Sequence, residues 1–429
     1  MDRTLMAPDE PVDLDNCARE PIHVPGSVQP RGALLVVDEA AMVVVQTSDN
    51  VADLLGRPVE EVLGARLGAV LGAQAETAVV NHARAEGDVR DRNPLSVTVP
   101  VEGAPVVLDA LVHRPPVGEA REPEQLLVVE LERVAGTRPL TYAGTYRSVR
   151  GAVGALNRSS SLAELYDVTA YEVRRLTGFD RVMVYRFDAD HNGEVVAEAR
   201  REDLNPFLGL HYPATDIPSQ ARALYEKNWI RLISDVGYTP VPLVPTLNPR
   251  TGAPLDLTHA TLRSVSPIHI EYLQNMGVTA SMSISLLQDG RLWGLIACHH
   301  YTGPYGPPYE VRAAAEFLGS VLSLRLVAQV EEERIAAARR VGRDLAGLVG
   351  ASRDEHIPLA QALTADRTLL EIMDADGAVV RAQGETVTLG TAPAGAQADA
   401  VLAWAARSGE DLACTTSVAQ DAPELTDVV

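Results

Sequence analysis

Cysteine is scarce in this 429-residue chain. The three present, Cys17, Cys298 and Cys414, lie far apart and form no CxxC pair, so neither a disulfide framework nor a four-ligand zinc site can be read from them. Positive charge is short as well: 37 Lys and Arg face 58 Asp and Glu, a formal net charge of −21 at pH 7. Such a chain repels phosphate backbones and anionic lipid at long range, which argues against nucleic acid as a partner. Long apolar runs are also missing. None approaches the roughly 20 residues that span a bilayer, and the opening MDRTLMAPDEPVDLDNC is acidic where a secretory signal is basic and then apolar. The expectation is a cytoplasmic protein without a membrane partner. What remains is ordinary globular material, 46% apolar and 22% charged, long enough for two or three domains with separate cores.

The chain opens on a proline-rich arm, residues 1–32, with no sustained periodicity. ALLVVD (33–38) and MVVVQ (42–46) then read as strands joined by a tight polar turn, followed by the short helical DNVADLLG. After further helical stretches, PVVLDALVHR (105–114) and EQLLVVELER (124–133) read as two more strands. Residues 33–134 thus form an antiparallel sheet with helices on one face. A Gly/Pro-bearing boundary at 134–144 leads into a second α+β sheet domain, 135–325. Its expected elements are helices to about residue 177, strands at 181–188 and 193–200, a helix near 218–228, and a hairpin over 282–300 turning at Asp289-Gly290. Between helix and hairpin, VPLVPTLNPRTGAPLDL carries Pro242, Pro245, Pro249 and Pro254 and is expected to be an irregular excursion. One long helix, about 308–347, follows, with Val311, Phe317, Leu318, Val321, Leu322, Leu324 and Leu326 as its apolar positions. Residues 326–429 hold its end and an incomplete third domain, with a strand expected near LLEIMDADGAVVRA and a helix near AQADAVLAWAAR.

Four long segments stand in order: DNCAREPIHVPGSVQPRGALL in the arm, PATDIPSQARALY at 213–225, RSVSPIHIEYLQNMGV at 263–278 and LWGLIACHH at 292–300. Together they resemble the bacteriophytochromes over about residues 13–345. The resemblance implies an N-terminal PAS domain, a bilin-binding GAF domain and the start of a PHY domain. It also implies an arm threaded through a GAF loop in a figure-of-eight knot, with the proline-rich excursion as that loop. Arg31 departs from the family, whose members usually carry histidine there.

Each candidate residue also has a plainer reading. Cys17 sits where no core is close, so its reactivity is the property to explain; the resemblance makes it the thioether link to a vinyl group of biliverdin IXα, a linear tetrapyrrole. Asp216, read alone, is a turn or capping residue before a helix. The resemblance instead gives its main-chain carbonyl to the pyrrole nitrogens and its carboxylate to the neighbouring domain, with Ile217 against the ring plane. His269 and His299 are either satisfied core histidines or, by resemblance, the groups near the central pyrroles and the D-ring carbonyl. Alternation along LWGLIACHH puts His299 on one face with Ala297, Leu295 and Trp293, and Cys298 and His300 on the other, so no metal triad is formed.

Arg231 and Arg263 match the family's propionate partners, which suits the planar fork of a guanidinium; Ser266, Ser281 and Ser283 are the matching hydroxyl donors. Met183, Tyr185, Phe207, Tyr212, Tyr225, Tyr272 and Met276 resemble the cavity wall, or are simply core, in a chain with 4% aromatic residues. The function implied is a red/far-red photoreceptor whose light step isomerises the bilin's C/D-ring double bond, with no enzymatic output in the chain and an unknown downstream partner. A homodimer through the 308–347 helix is expected. Because the sequence stops before the family's PRxSF tongue, incomplete photoconversion is expected too. A GAF-type sensor of another small molecule stays open, whereas a hydrolytic metal centre lacks any HExxH or i, i+4 histidine pair.

Overall fold

The computed structural model describes residues 19–116, 126–134, 142–353, 356–407, 409, 411–415 and 418–426, so Cys17 lies outside the described residues. The chain divides into two compact units, Met1–Gln329 and Val330–Val429.

In chain order the strands of the first unit are β1 (Ser27–Val28), β2 (Gly32–Asp38), β3 (Val43–Ser48), β4 (Leu95–Val101), β5 (Ala104–His113), β6 (Leu126–Arg133), β7 (Arg181–Phe187), β8 (Gly193–Arg200), β9 (His211–Tyr212), β10 (Ile230–Ile233), β11 (Val241–Val244), β12 (Ala280–Gln288) and β13 (Arg291–His300). The first sheet has the order β1-β11-β3-β2-β6-β5-β4. Its β2 reads as an unbroken apolar run because both faces are covered. Leu35 and Val37 join the core under the small helices, while Leu34 and Val36 pack with Leu243, Leu255, Leu257 and Leu262 on the other side.

Two expectations change here. LSVTVPV, passed over in the sequence, is β4; Pro100 is tolerated because β4 lies at the edge. The proline-rich excursion is not wholly irregular, since Val241–Val244 pairs antiparallel with both β1 and β3. Proline cannot donate to a ladder but it can accept. The Asp49 amide donates to the Pro242 carbonyl at 2.9 Å, and the Leu243 amide donates to Gly26 at 2.9 Å.

Buried carboxylates fasten the excursion to the sheet. Glu130 has no exposed surface and accepts from the amides of Thr261 (3.0 Å) and Leu262 (2.6 Å). Glu132 pairs with Arg31 at 2.7 Å and with Arg312 of the long helix at 2.5 Å, while Arg31 donates to the Thr261 carbonyl at 2.9 Å. Both terminal nitrogens of the unusual arginine therefore have partners. Glu130→Ala strands the buried Leu262 amide and the half-buried Thr261 amide, and chemical denaturation should show a loss of about 3 kcal/mol or more; an unchanged midpoint would show that the excursion is held by its leucines alone.

The second sheet has the order β10-β12-β13-β7-β8-β9. The β12–β13 hairpin turns at Asp289 (φ 52°) and Gly290 (φ 77°), the two positive-φ positions that an Asp-Gly hairpin turn requires. One face packs on the helices Tyr142–Arg158 and Leu162–Thr177 and on the start of the helix Tyr309–Ala351, through Ala315, Leu318, Leu322 and Leu326. The other face is left to the site described below.

A bulge corrects one face assignment. Leu286 faces Gly294 but Leu287 faces Leu292, so Trp293 is the extra residue. It turns to the helical face and meets Tyr166 with ring centroids 5.9 Å apart, away from His299.

The helix Tyr309–Ala351 has 43 residues and, against the reading from uninterrupted runs, is by length and composition apolar enough to cross a membrane. Its buried Val311, Leu318, Leu322 and Leu326 mark it as a core helix of the first unit, whereas Phe317 and Leu324 are exposed. In the second unit, the expected strand over LLEIM is the helix Thr368–Met373, opened by an Asp366 carboxylate on the Thr368 amide at 2.8 Å and closed by Asp374 at φ 49°. Strands β14 (Gly377–Ala382) and β15 (Glu385–Gly390) and the helix Ala396–Arg407 follow.

Candidate functional site

On the free face of the second sheet is a cavity of about 1090 Å³. Strand register supplies its floor. Ser281 stands between Ile233 and His299, Ser283 between Arg231 and Ala297, Met183 beside Ala297, and Tyr185 beside Leu295. All of these line the cavity, because alternate residues on paired strands share one face. Cys298, one residue from His299, lies under the opposite face with burial pushing its thiol pKa up.

The roof comes from irregular chain and two short helices. The turn before the helix Ser219–Lys227 carries Asp216 and Ile217, and Tyr225 lies on that helix. The helix Pro267–Asn275, which begins on the proline after Ser266, carries His269 and Tyr272 and ends at Met276. The Tyr272 hydroxyl donates to Asp216 Oδ2 at 3.3 Å, His269 and Tyr272 stack with centroids 6.2 Å apart, and Tyr185 meets Tyr212 at 5.9 Å. Burial, then the Asp216 charge, raises the Tyr185 and Tyr272 hydroxyls, so both remain donors near neutral pH.

Of the seventeen residues singled out in the sequence, fifteen line this one cavity. Phe207 packs beside it, with Met183, Tyr185 and Tyr212, and is not a lining residue. Cys17 lies outside the described residues. The reading missed Glu20 and Ile22, which bring the arm into the cavity, and Arg222 on the Ser219–Lys227 helix. All three stand inside the quoted segments, so nearness to Cys17 and to Tyr225 was the available signal.

The electrostatics point to an anionic, polar-edged ligand. Among the described residues Arg231 pairs with no carboxylate; its Nη2 donates only to the Ser264 carbonyl at 3.4 Å, and burial lowers its pKa. Arg263 Nη1 donates to the carbonyls of Leu257 and Thr258, both at 3.2 Å. Arg263 Nε, Ser264 Oγ and His299 Nδ1 are buried without a partner among the described residues, and all three belong to residues lining the cavity. Among the described residues no group of three or more His, Cys, Asp or Glu could hold a metal.

Burial, reinforced by Arg231, takes His269 down to about 4; burial, reinforced by Arg181 and His269, takes His299 down to about 3. Both are neutral at pH 7. In the unfolded chain they titrate near 6.5, so between about pH 6.5 and 4 the unfolded state binds more protons and stability falls as pH falls. The apoprotein should melt about 5 °C lower, or more, at pH 5 than at pH 7, with a shallower slope in His299→Gln. Equal slopes in parent and variant would show that the imidazole is not held neutral by the fold.

Residues 17–134 match the PAS fold family, 161–326 the GAF domain and 344–429 the phytochrome region. The chain is 40% identical over 421 residues to cyanobacterial phytochrome B of Nostoc sp., covering 97% of this chain and 55% of that protein. It is 39% identical over 394 residues to a bacteriophytochrome of Xanthomonas campestris pv. campestris, covering 89% and 58%. It thus spans about half the length of the curated relatives it matches. Among solved structures, the photosensory core module of Stigmatella aurantiaca phytochrome superposes with a TM-score of 0.77 at 40% identity, covering 97% of this chain and 81% of that one. A bacteriophytochrome from the photosynthetic bacterium R. palustris gives 0.79 at 36% identity, covering 96% and 81%. With three domain matches in order and a solved relative covered over four-fifths of its length, the chain belongs to the bacteriophytochrome family.

Proposed function

We propose that this chain is a red/far-red photosensory module that holds biliverdin IXα, joined through Cys17, in the cavity on the second sheet. The observation that carries the reading is the half-buried Arg231, which faces the cavity without a carboxylate partner among the described residues. A ligand bearing carboxylates and a long polar edge satisfies it together with Arg263 Nε, Ser264 Oγ and His299 Nδ1. When bound, the bilin supplies the double bond between its C and D rings that light isomerises.

The protein's own residues bind, orient and exclude water. Arg231 and Arg263, with Ser266, Ser281 and Ser283, hold the propionates. The Asp216 carbonyl and His269 serve the pyrrole nitrogens, His299 the D-ring carbonyl, and Ile217 the ring plane. Met183, Tyr185, Tyr212, Tyr225, Tyr272 and Met276 shape the remaining wall, with Phe207 behind it. Asp216 and Tyr272, already hydrogen-bonded to each other, are placed to change partners when the D ring turns.

The proposed division is an arm at 1–32, a PAS domain at 33–134, a GAF domain at 135–325, and a helical linker with part of a PHY domain at 326–429. The pairing of β11 between β1 and β3 supports an arm threaded through the 241–256 loop as a figure-of-eight. The module senses and does not catalyse, and its downstream partner is a separate question. The charge of −21 favours a cytoplasmic setting away from nucleic acid and anionic membrane. Exposed Phe317, Leu324, Val327 and Val330 along the long helix support a homodimer.

The test is an absorption spectrum of the purified chain with biliverdin before and after red light, with light scattering on the same sample. A red band that bleaches toward the far-red, from a species of twice the monomer mass, is expected. No red band would leave a GAF-type sensor of another small molecule as the better reading, and a clean monomer would remove the dimer.

A further inference from the structure

Beside the cavity's aromatic end lies a buried ion pair, neither member of which lines the cavity. Arg181 on β7 is 2% exposed and pairs with Glu198 on β8. Its Nη2 donates to the Asn205 carbonyl at 2.8 Å, and its guanidinium carbon stands 3.7 Å from the centroid of the Phe207 ring. The second oxygen of Glu198 accepts from the amides of Phe207 (3.0 Å) and Leu208 (3.3 Å). The two side chains therefore clamp the 201–210 loop at its carbonyl, its amides and its aromatic ring. From that loop the Leu210 carbonyl accepts from the Val195 amide at 3.0 Å, and the chain passes directly into β9, which carries Tyr212. Phe207 and Tyr212 pack with Met183 and Tyr185, which line the cavity. Strand register also places Arg181 directly beside His299.

Burying two charges this deeply is not a cheap way to stabilise a sheet, because desolvation offsets most of the attraction. A pair that fixes one arrangement of a loop has another use, which is specificity of geometry. We infer that Arg181 and Glu198 are positioning residues: they set the place of Phe207 and Tyr212, and so the room available for the ligand's terminal ring, and they present a fixed cation to the side of His299. Arg181 does this through its planar fork, which lysine cannot copy.

The inference rests on the photosensor reading, and one experiment separates the two. The full chain loaded with biliverdin is compared with Arg181→Lys and Glu198→Gln. Both variants are expected to take up pigment to the parent's stoichiometry and keep it on a denaturing gel, because neither side chain lines the cavity. The yield of far-red product per absorbed red photon should fall by about threefold or more, with a matching rise in fluorescence, since a loosened wall lets the excited ligand settle without completing the turn. A merely structural pair would lower the melting temperature and leave yield per bound pigment unchanged, and that result overturns the inference. A parent without a red band overturns the reading and the inference with it. Should Arg181→Lys lose its melting transition, Glu198→Gln carries the same comparison, because its amide oxygen can still accept from Phe207.

Discussion

Cys17→Ala, incubated with biliverdin and run on a denaturing gel soaked in zinc, is expected to lose the pigment fluorescence of the parent band completely while keeping a red absorption band in solution. The argument is one of reach and reactivity. A thioether needs an accessible thiol that ionises. Cys298 is fully buried, and burial drives its thiol pKa up, on the face of the sheet that looks away from the cavity. Cys414 is exposed and is not among the residues lining the cavity. Glu20 and Ile22 line the cavity, and three residues of extended chain reach at most about 10 Å, so the sequence spacing alone keeps a thiol at position 17 within reach. The cavity is built by strand register and two helices, none of which the substitution touches, so non-covalent uptake should persist with weaker retention. Pigment that stays on the Cys17→Ala band would assign the link elsewhere.

How much of this was legible in sequence follows from which interactions are local. The Asp-Gly turn, the period of two along LWGLIACHH and the proline opening the Pro267–Asn275 helix are decided by neighbouring residues, and they put Ser281, Ser283, Ala297 and His299 on the correct face. Trp293 was misplaced because a bulge is a property of two strands, visible only when Leu286 and Leu287 are matched to their partners. The strand at Val241–Val244 was unreadable for a related reason: its ladder bonds run to Gly26 and Asp49, about two hundred residues away. Phe207 was read as wall by resemblance, and the structure shows what the motif could not, that the guanidinium of a buried Arg181 lies over that ring. Glu130 and Glu132 look like ordinary alternating strand charges in EQLLVVELER. Only the packed excursion and Arg312 explain why they are buried.

Asp216→Leu is expected to retain bound pigment and a red band while losing photoconversion by about tenfold or more. The substitution divides the residue's two roles. Its main chain is held by a turn, with the Asp216 amide donating to the Pro213 carbonyl at 3.0 Å, so the carbonyl that the proposal assigns to the pyrrole nitrogens keeps its place. The carboxylate is lost, and with it the 3.3 Å bond from Tyr272 and the negative charge felt by Tyr185, Tyr212 and Tyr272. A hydrogen bond to a charged group contributes about 1.5–3 kcal/mol, which as a bias between two arrangements is about tenfold or more. Asp216→Asn, which still accepts from Tyr272 but carries no charge, should fall between parent and leucine. If the red band collapses together with photoconversion, the carboxylate and not the carbonyl faces the pyrroles. If photoconversion survives both substitutions, the Asp216–Tyr272 pair does not carry the light-driven change and the switch must be sought on the His299 side of the cavity.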